Sequence, residues 1–158
     1  SLWKLPILYV CENNGYAMST PVSKTVAGGD LLRRAEAYGI RAARADGMSV
    51  ESVETTATAL LKHLRAGEGP AFLEAVTYRF CGHSKSDRLI YRTREEEANW
   101  RKRDPIVLAG NRLRAGGFEA EAEKIETEVN RTLADAEARC AASPIATRRA
   151  AEGVFADG

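Results

Sequence analysis

The sequence predicts an α/β fold: a parallel sheet layered with helices over residues 1–92, followed by a helical region over 93–158. Three observations carry this prediction. Strand signals at 7–11, 40–45 and 71–76 alternate with segments of helical period. The first of them, Ile7-Leu8-Tyr9-Val10-Cys11, is uninterrupted, which suits a strand buried on both faces of a parallel sheet. From Thr93 onward the strand signal disappears and the pattern is helical throughout.

Taken in order, the first strand runs into Glu12-Asn13-Asn14-Gly15-Tyr16. Residues 30–38 read as a helix stopped by Gly39, and 40–45 as the second strand. Ser49 can cap a longer helix in which Val50, Val53, Ala57, Leu60, Leu61 and Leu64 keep a helical period, with Gly67 just past its end. The third strand, 71–76, feeds a loop centred on His83. Beyond it, Thr93 with Glu96 forms a capping-box signature, and Asp104-Pro105 suits the N-cap and first position of the next helix. Phe118, Ala122, Ile125, Val129, Leu133, Ala136 and Cys140 recur every three or four residues. Such an amphipathic stripe is expected to pack on a partner surface or on the sheet. Ser143-Pro144 starts a last short helix that ends by Gly153.

At 158 residues and 44% hydrophobic content, the chain is long enough for one sizeable core. A net charge of +1 gives no reason to expect nucleic acid or an acidic membrane as a partner. The longest apolar run is too short to span a bilayer, and no signal peptide opens the chain at Ser1. Cys11, Cys81 and Cys140 are widely spaced and include no Cys-x-x-Cys pair. That argues against a zinc site or a disulfide framework and fits a reducing compartment.

The chemistry concentrates in two loops. Asn13 and Asn14 follow a strand, and ligands of open α/β sheets bind beyond the carboxyl ends of strands. A carboxamide oxygen is a neutral hard donor suited to Mg²⁺. The side chain of one residue and the backbone carbonyl two residues later can occupy neighbouring positions of one octahedron. The plainer reading is an Asn-Gly turn closing a strand. Arg79, at the carboxyl end of the third strand, can make a bidentate charge-assisted contact with a diphosphate or can simply face solvent. His83 lies in a loop between Gly82 and Ser84 with Asp87 close by, and an imidazole exchanges protons near neutral pH. The other histidine, His63, lies inside a helix and reads as structural.

Glu12-Asn13-Asn14-x-Tyr16, Asp46-Gly47, Tyr78-Arg79, Gly82-His83-Ser84-x-Ser86-Asp87 and Tyr91-Arg92 follow one another in that order. In order and spacing they resemble the α subunit of the thiamine-diphosphate-dependent E1 component of 2-oxo acid dehydrogenase complexes. That family includes the pyruvate, branched-chain and acetoin enzymes. The resemblance implies that Asn14 gives its side-chain oxygen, and Tyr16 its backbone carbonyl, to Mg²⁺. It places Asn14, Gly15, Tyr16, Arg79 and His83 on thiamine diphosphate and makes His83 catalytic, orienting the incoming lipoyl group. It implies a β subunit in an α2β2 heterotetramer, which supplies the glutamate that activates the cofactor. A lipoylated E2 component is then the acyl acceptor and a 2-oxo acid or acetoin the substrate.

The family's diphosphate motif begins with Gly-Asp-Gly and ends with Asn-Asn, and only the Asn-Asn stands in this sequence. The resemblance therefore marks the chain as the carboxy-terminal part of a longer polypeptide. By itself it is expected to bind thiamine diphosphate weakly and to be inactive. Ser84 occupies the position phosphorylated in mitochondrial members. Arg88-Leu89-Ile90 departs from the mitochondrial pattern and lacks its second phosphorylatable serine, which favours an unregulated bacterial-type loop. The expected compartment is accordingly the cytoplasm rather than the mitochondrial matrix. Asp87, Tyr91 and Arg92 are expected to form the hydrogen-bond network that orders this loop.

Two other readings stay open. One is a non-catalytic α/β module whose helical tail mediates assembly. The other is a different thiamine enzyme of related fold, against which the His83 loop argues. Residues 14–21 look like branched-chain enzymes, whereas the His83 loop and residues 93–96 lean toward the pyruvate and acetoin types.

Overall fold

The computed structural model describes residues 1–145. In chain order the elements are β1 (Leu8–Asn13), β2 (Tyr16–Ala17), β3 (Thr20–Pro21), α1 (Val22–Thr25), α2 (Leu31–Ala37), β4 (Arg41–Asp46), α3 (Val50–Arg65), β5 (Ala71–Val76), α4 (Arg94–Arg101), α5 (Pro105–Ala115) and α6 (Glu119–Ala142). The chain divides into two compact units, one ending at Asn111 and the other beginning at Arg112, a boundary within α5. The expected combination of a parallel-sheet α/β layer and a helical carboxy-terminal region is what the chain forms.

The sheet of the first unit is all parallel, in the order β1-β5-β4. Parallel neighbours need crossover connections, which α2 and α3 provide. Leu8, Ala71 and Arg41 stand abreast, so every second residue of the three strands shares a face. On one face Ala45, Ala71 and Leu73 meet Leu60 and Leu64 of α3, with Leu8, Ala43, Val53 and Ala57 packed around them. Each buried leucine there contributes on the order of 2 kcal/mol of hydrophobic stabilisation. Helix α2 packs over the other face, against β4 and β5.

The helix ends are local chemistry. Ser49 Oγ accepts from the Ser52 amide at 3.3 Å and Asp30 Oδ1 from Leu32 at 3.1 Å, each satisfying a donor that the first turn leaves unpaired. In α3, Glu51 lies in the first turn and Lys62, His63 and Arg65 in the last, matching the helix dipole. Asp104 Oδ1 accepts from Ile106 at 2.9 Å and Pro105 opens α5, as expected of that pair.

The structure corrects several expectations. β1 is not buried on both faces: Tyr9 is 48% and Val10 58% exposed. The reason is sheet order. β5 has a strand on each side and carries four buried residues out of six, whereas β1 is an edge. β1 also extends through Asn13, so only Asn14 lies beyond the strand. The capping box is half formed. Thr93 Oγ1 accepts from the Glu96 amide at 3.1 Å, but the Glu96 carboxylate turns to the Tyr16 hydroxyl instead of closing the box. The β2–β3 hairpin was not legible, because strands of two residues carry no periodicity.

In the second unit, the stripe of α6 stays open among the described residues: Ile125, Val129 and Leu133 are 55, 50 and 63% exposed. No helix among the described residues is long and apolar enough to cross a membrane. The expected helix from Ser143 toward Gly153 lies outside the described residues beyond Ile145.

The Asp46-Gly47 pair has a steric basis. The Gly47 amide donates to the Val76 carbonyl at 2.8 Å. A Cβ at Gly47 would stand 2.5 Å from Thr77 Cγ2 and 2.8 Å from that carbonyl oxygen. Gly47→Ala is therefore expected to lower unfolding stability by about 1–3 kcal/mol through overpacking. Urea unfolding measures it, and a midpoint equal to that of the parent chain would show that this junction tolerates a side chain.

Candidate functional site

In-register parallel pairing brings the sequence motifs to one edge of the sheet. Asn13 and Asp46 both pair with Val76, on either side of β5. The Thr77 amide extends the ladder to the Asn13 carbonyl at 2.9 Å. The Asn13-Asn14, Asp46-Gly47 and Tyr78-Arg79 segments thus leave the sheet at one level, where parallel α/β folds place their ligands.

Residues 13–16 form two successive side-chain-closed turns. Asn13 Oδ1 accepts from the Gly15 amide and Asn14 Oδ1 from the Tyr16 amide, both at 3.1 Å. Gly15 has φ +83°, a conformation that favours glycine, and its carbonyl accepts from Val22 at 2.8 Å. Asn14 is half-buried, and its Oδ1 retains an acceptor position beyond this one bond. The Tyr16 hydroxyl donates to Glu96 at 2.8 Å, and its ring lies tilted against Tyr91, with centroids 5.2 Å apart. Burial first, and then the Glu96 carboxylate, push the Tyr16 phenol up.

Arg79 joins this turn region to the His83 loop. One terminal nitrogen donates to the Met18 carbonyl at 2.6 Å and to the Tyr91 hydroxyl oxygen at 3.0 Å. Tyr91 in turn donates to Asp87 Oδ2 at 2.8 Å. That carboxylate also accepts from the His83 amide at 2.8 Å and the Leu89 amide at 2.9 Å. Gly82 makes room for it, since a Cβ there would stand 2.8 Å from Asp87 Cβ. The His83 side chain itself is exposed.

Arg92 is buried beneath the loop. It donates to Glu97 at 2.7 Å, to the Arg79 carbonyl at 2.5 Å and to the Phe80 carbonyl at 2.9 Å. Its guanidinium lies over Tyr78, whose ring stacks on Trp100 with centroids 5.1 Å apart. Burial first, and then the Glu96 carboxylate, raise the Tyr78 phenol to about 12. Of the network expected of Asp87, Tyr91 and Arg92, the Tyr91–Asp87 bond forms, while Arg92 bonds instead to Glu97 and to the Arg79 and Phe80 carbonyls. Asn14, Gly15 and Tyr16 share one turn, Arg79 reaches across to it, and His83 hangs from the same hydrogen-bonded frame.

Sequence reasoning passed over Glu74 and the Met18 carbonyl, and it read Glu96 only as part of a helix cap. Glu74 had a signal: a lone carboxylate inside the apolar 71–76 run is an anomaly that asks for a partner. Glu96 and Met18 had none, because their roles arise only from contacts across the fold.

The donors fit a magnesium–diphosphate group. No cluster of three His, Cys, Asp or Glu side chains among the described residues could hold a metal. A cation at this edge would draw on the Asn14 side-chain oxygen and the Tyr16 carbonyl, with anionic ligands from elsewhere. Arg79 Nε is a buried donor with no partner among the described residues, as suits an arginine that receives an anion.

Asp87 yields a pH prediction. The amides of His83 and Leu89, then the Tyr91 hydroxyl, hold its carboxyl at about 2 against an ordinary 3.8. A depressed carboxyl orders the loop fully above the ordinary value, and that contribution fades as pH falls through the folded one. The His83 loop should therefore hold its hydrogen bonds down to about pH 4 and lose them toward pH 2. An NMR titration of the Asp87 carboxyl carbon should show a midpoint near 2, and a midpoint near 4 would contradict the arrangement.

The Dehydrogenase E1 component family model matches residues 1–148. Over 138 residues the chain is 42% identical to the pyruvate dehydrogenase E1 component subunit alpha of Rhizobium meliloti, covering 85% of this chain and 40% of that protein. It is 41% identical to the Zymomonas mobilis protein of the same name, covering 86% and 39%. The testis-specific mitochondrial form of Rattus norvegicus is 38% identical, covering 86% and 35%. The chain spans about two fifths of the length of the curated bacterial relatives it matches. With its motifs gathered at one sheet edge and the family match running over nearly its whole length, the chain belongs to the dehydrogenase E1 component family.

Proposed function

We propose that this chain forms the part of a pyruvate-type E1 α subunit that binds the diphosphate of thiamine diphosphate and carries the lipoyl-facing loop. The family uses thiamine diphosphate, and the relatives compared above bear the pyruvate name. The observation that carries the reading is the buried Arg79 Nε, without a partner among the described residues, on a guanidinium anchored to Met18 just past the Asn14–Tyr16 turn.

In this reading Asn14 Oδ1 and the Tyr16 carbonyl would be two oxygen ligands of Mg²⁺, carried by the one turn that Gly15 joins. Arg79 would neutralise diphosphate charge through charge-assisted hydrogen bonds. Thiamine diphosphate, when bound, supplies the carbanion chemistry that decarboxylates the 2-oxo acid. The His83 imidazole is exposed on a loop whose backbone Asp87 holds. It can therefore meet an arriving lipoyl group and exchange a proton with it at ring nitrogen. The proposal includes a β subunit in an α2β2 assembly and a lipoylated E2 component as acceptor.

The test uses the assembled enzyme bearing this chain. Arg79→Ala should weaken thiamine diphosphate binding in calorimetry by roughly 10-fold or more, the loss expected of a charge-assisted contact. His83→Ala should lower turnover with the lipoyl acceptor by about 10²–10⁴-fold. Cofactor affinity unmoved by Arg79→Ala would sink the diphosphate assignment. Full acyl transfer by His83→Ala would sink the other.

A further inference from the structure

Glu74 is the largest charged group buried in the sheet, 2% exposed at the middle of β5. Burying a carboxylate is costly, and a well-packed apolar residue in its place is often neutral or stabilising. Stability alone does not account for it, but its partners do.

Arg44, directly opposite on β4, donates from Nε to Glu74 Oε2 at 2.7 Å. Asn13, two residues along on β1, donates from Nδ2 to Glu74 Oε1 at 2.7 Å. Arg44 is held in turn by Asp30, the N-cap of α2, at 3.1 Å. One line of polar contacts therefore runs from α2 through Arg44 and Glu74 to Asn13. It then passes through Asn13 Oδ1 to the Gly15 amide.

An ionised carboxylate only accepts hydrogen bonds. Facing one, the Asn13 carboxamide has a single choice: its NH2 toward Glu74 and its oxygen toward Gly15. A flipped carboxamide would set its oxygen against the carboxylate and its NH2 against the Gly15 amide, acceptor on acceptor and donor on donor. The charge on Glu74 thus decides the orientation of Asn13, and Asn13 closes the turn that carries Asn14 and Tyr16.

We propose that Glu74, clamped by Arg44, is a positioning residue that fixes Asn13 and through it the Asn14–Tyr16 turn for a divalent cation. This rests on the reading of Asn14 and the Tyr16 carbonyl as cation ligands. Groups that orient a first ligand shell typically alter metal affinity by about 10–100-fold when removed. Loss of Glu74 should act in that range without touching the cation.

The experiment compares the assembled enzyme bearing this chain with its Glu74→Gln, Asn14→Ala and Glu74→Leu/Arg44→Leu variants. Mn²⁺ in the presence of thiamine diphosphate serves as the probe, read by electron paramagnetic resonance. Amide hydrogen exchange is followed at Gly15 and, as a fold control, at Leu73 and Ala75. Glu74→Gln should weaken Mn²⁺ roughly 10–100-fold and remove protection at Gly15, with β5 amides unchanged. The double leucine variant should keep or raise the melting temperature yet still lose Mn²⁺ affinity, which a purely structural role would not produce. Parent-like Mn²⁺ affinity and Gly15 protection in Glu74→Gln, with Asn14→Ala defective, would overturn the role of Glu74 alone. Parent-like binding by Asn14→Ala, or none by the parent enzyme, would overturn the cation reading and this role with it. If Glu74→Gln destroys the β5 amides, the double variant decides: retained Mn²⁺ affinity there overturns the proposal and lost affinity supports it.

Discussion

The structure depends on the in-register parallel pairing of β5 with β1 and β4. Because Asn13, Val76 and Asp46 stand level, three strands end together and release their loops into one place. The ladder even continues past the strands, through Thr77 to Asn13 on one side and Gly47 to Val76 on the other. A slip of one residue would move the Glu74 carboxylate to the face covered by α3 and its leucines. Register is therefore enforced by the core as well as by backbone hydrogen bonds.

Above that apolar layer, the site is built from a few buried charges, each compensated by named partners. Glu74 is met by Arg44 and Asn13 on the sheet face, and Arg92 by Glu97 and two backbone carbonyls beneath the loop. Removing one partner from such a group leaves a desolvated charge and costs more than the contact itself contributes. The two networks thus specify geometry more than they add stability. One sets the Asn13 turn and the other sets the exit of β5, where Arg79 begins.

The loops show how little is needed to order them when the backbone is addressed directly. Asp87 accepts from two amides and a phenol between His83 and Tyr91, and Gly82 leaves space for it to do so. His83 is consequently held by its backbone while its side chain faces solvent, an arrangement suited to a group that meets a partner from outside. Arg79, joined to both Met18 and Tyr91, makes the two loops one object.

The sequence by itself determined the α/β class, the third strand, the capped helices and the motifs that mark the site, because these rest on periodicity, caps and residue chemistry within short windows. It also marked the pairing of Asp87 with Tyr91, whereas the partners of Arg92 came only with the fold. Only the tertiary structure decided that β5 is central and β1 an edge, since strand order is set by the packing of crossovers and not by any strand's own pattern. The same holds for Glu96, which caps a helix in the local reading but binds Tyr16 from 80 residues away. It holds for Glu74, whose place in the chain shows an anomaly and whose partners lie on two other strands. Local chemistry names candidates, and long-range pairing chooses which of them meet, because a contact between distant residues has no signature in either residue alone.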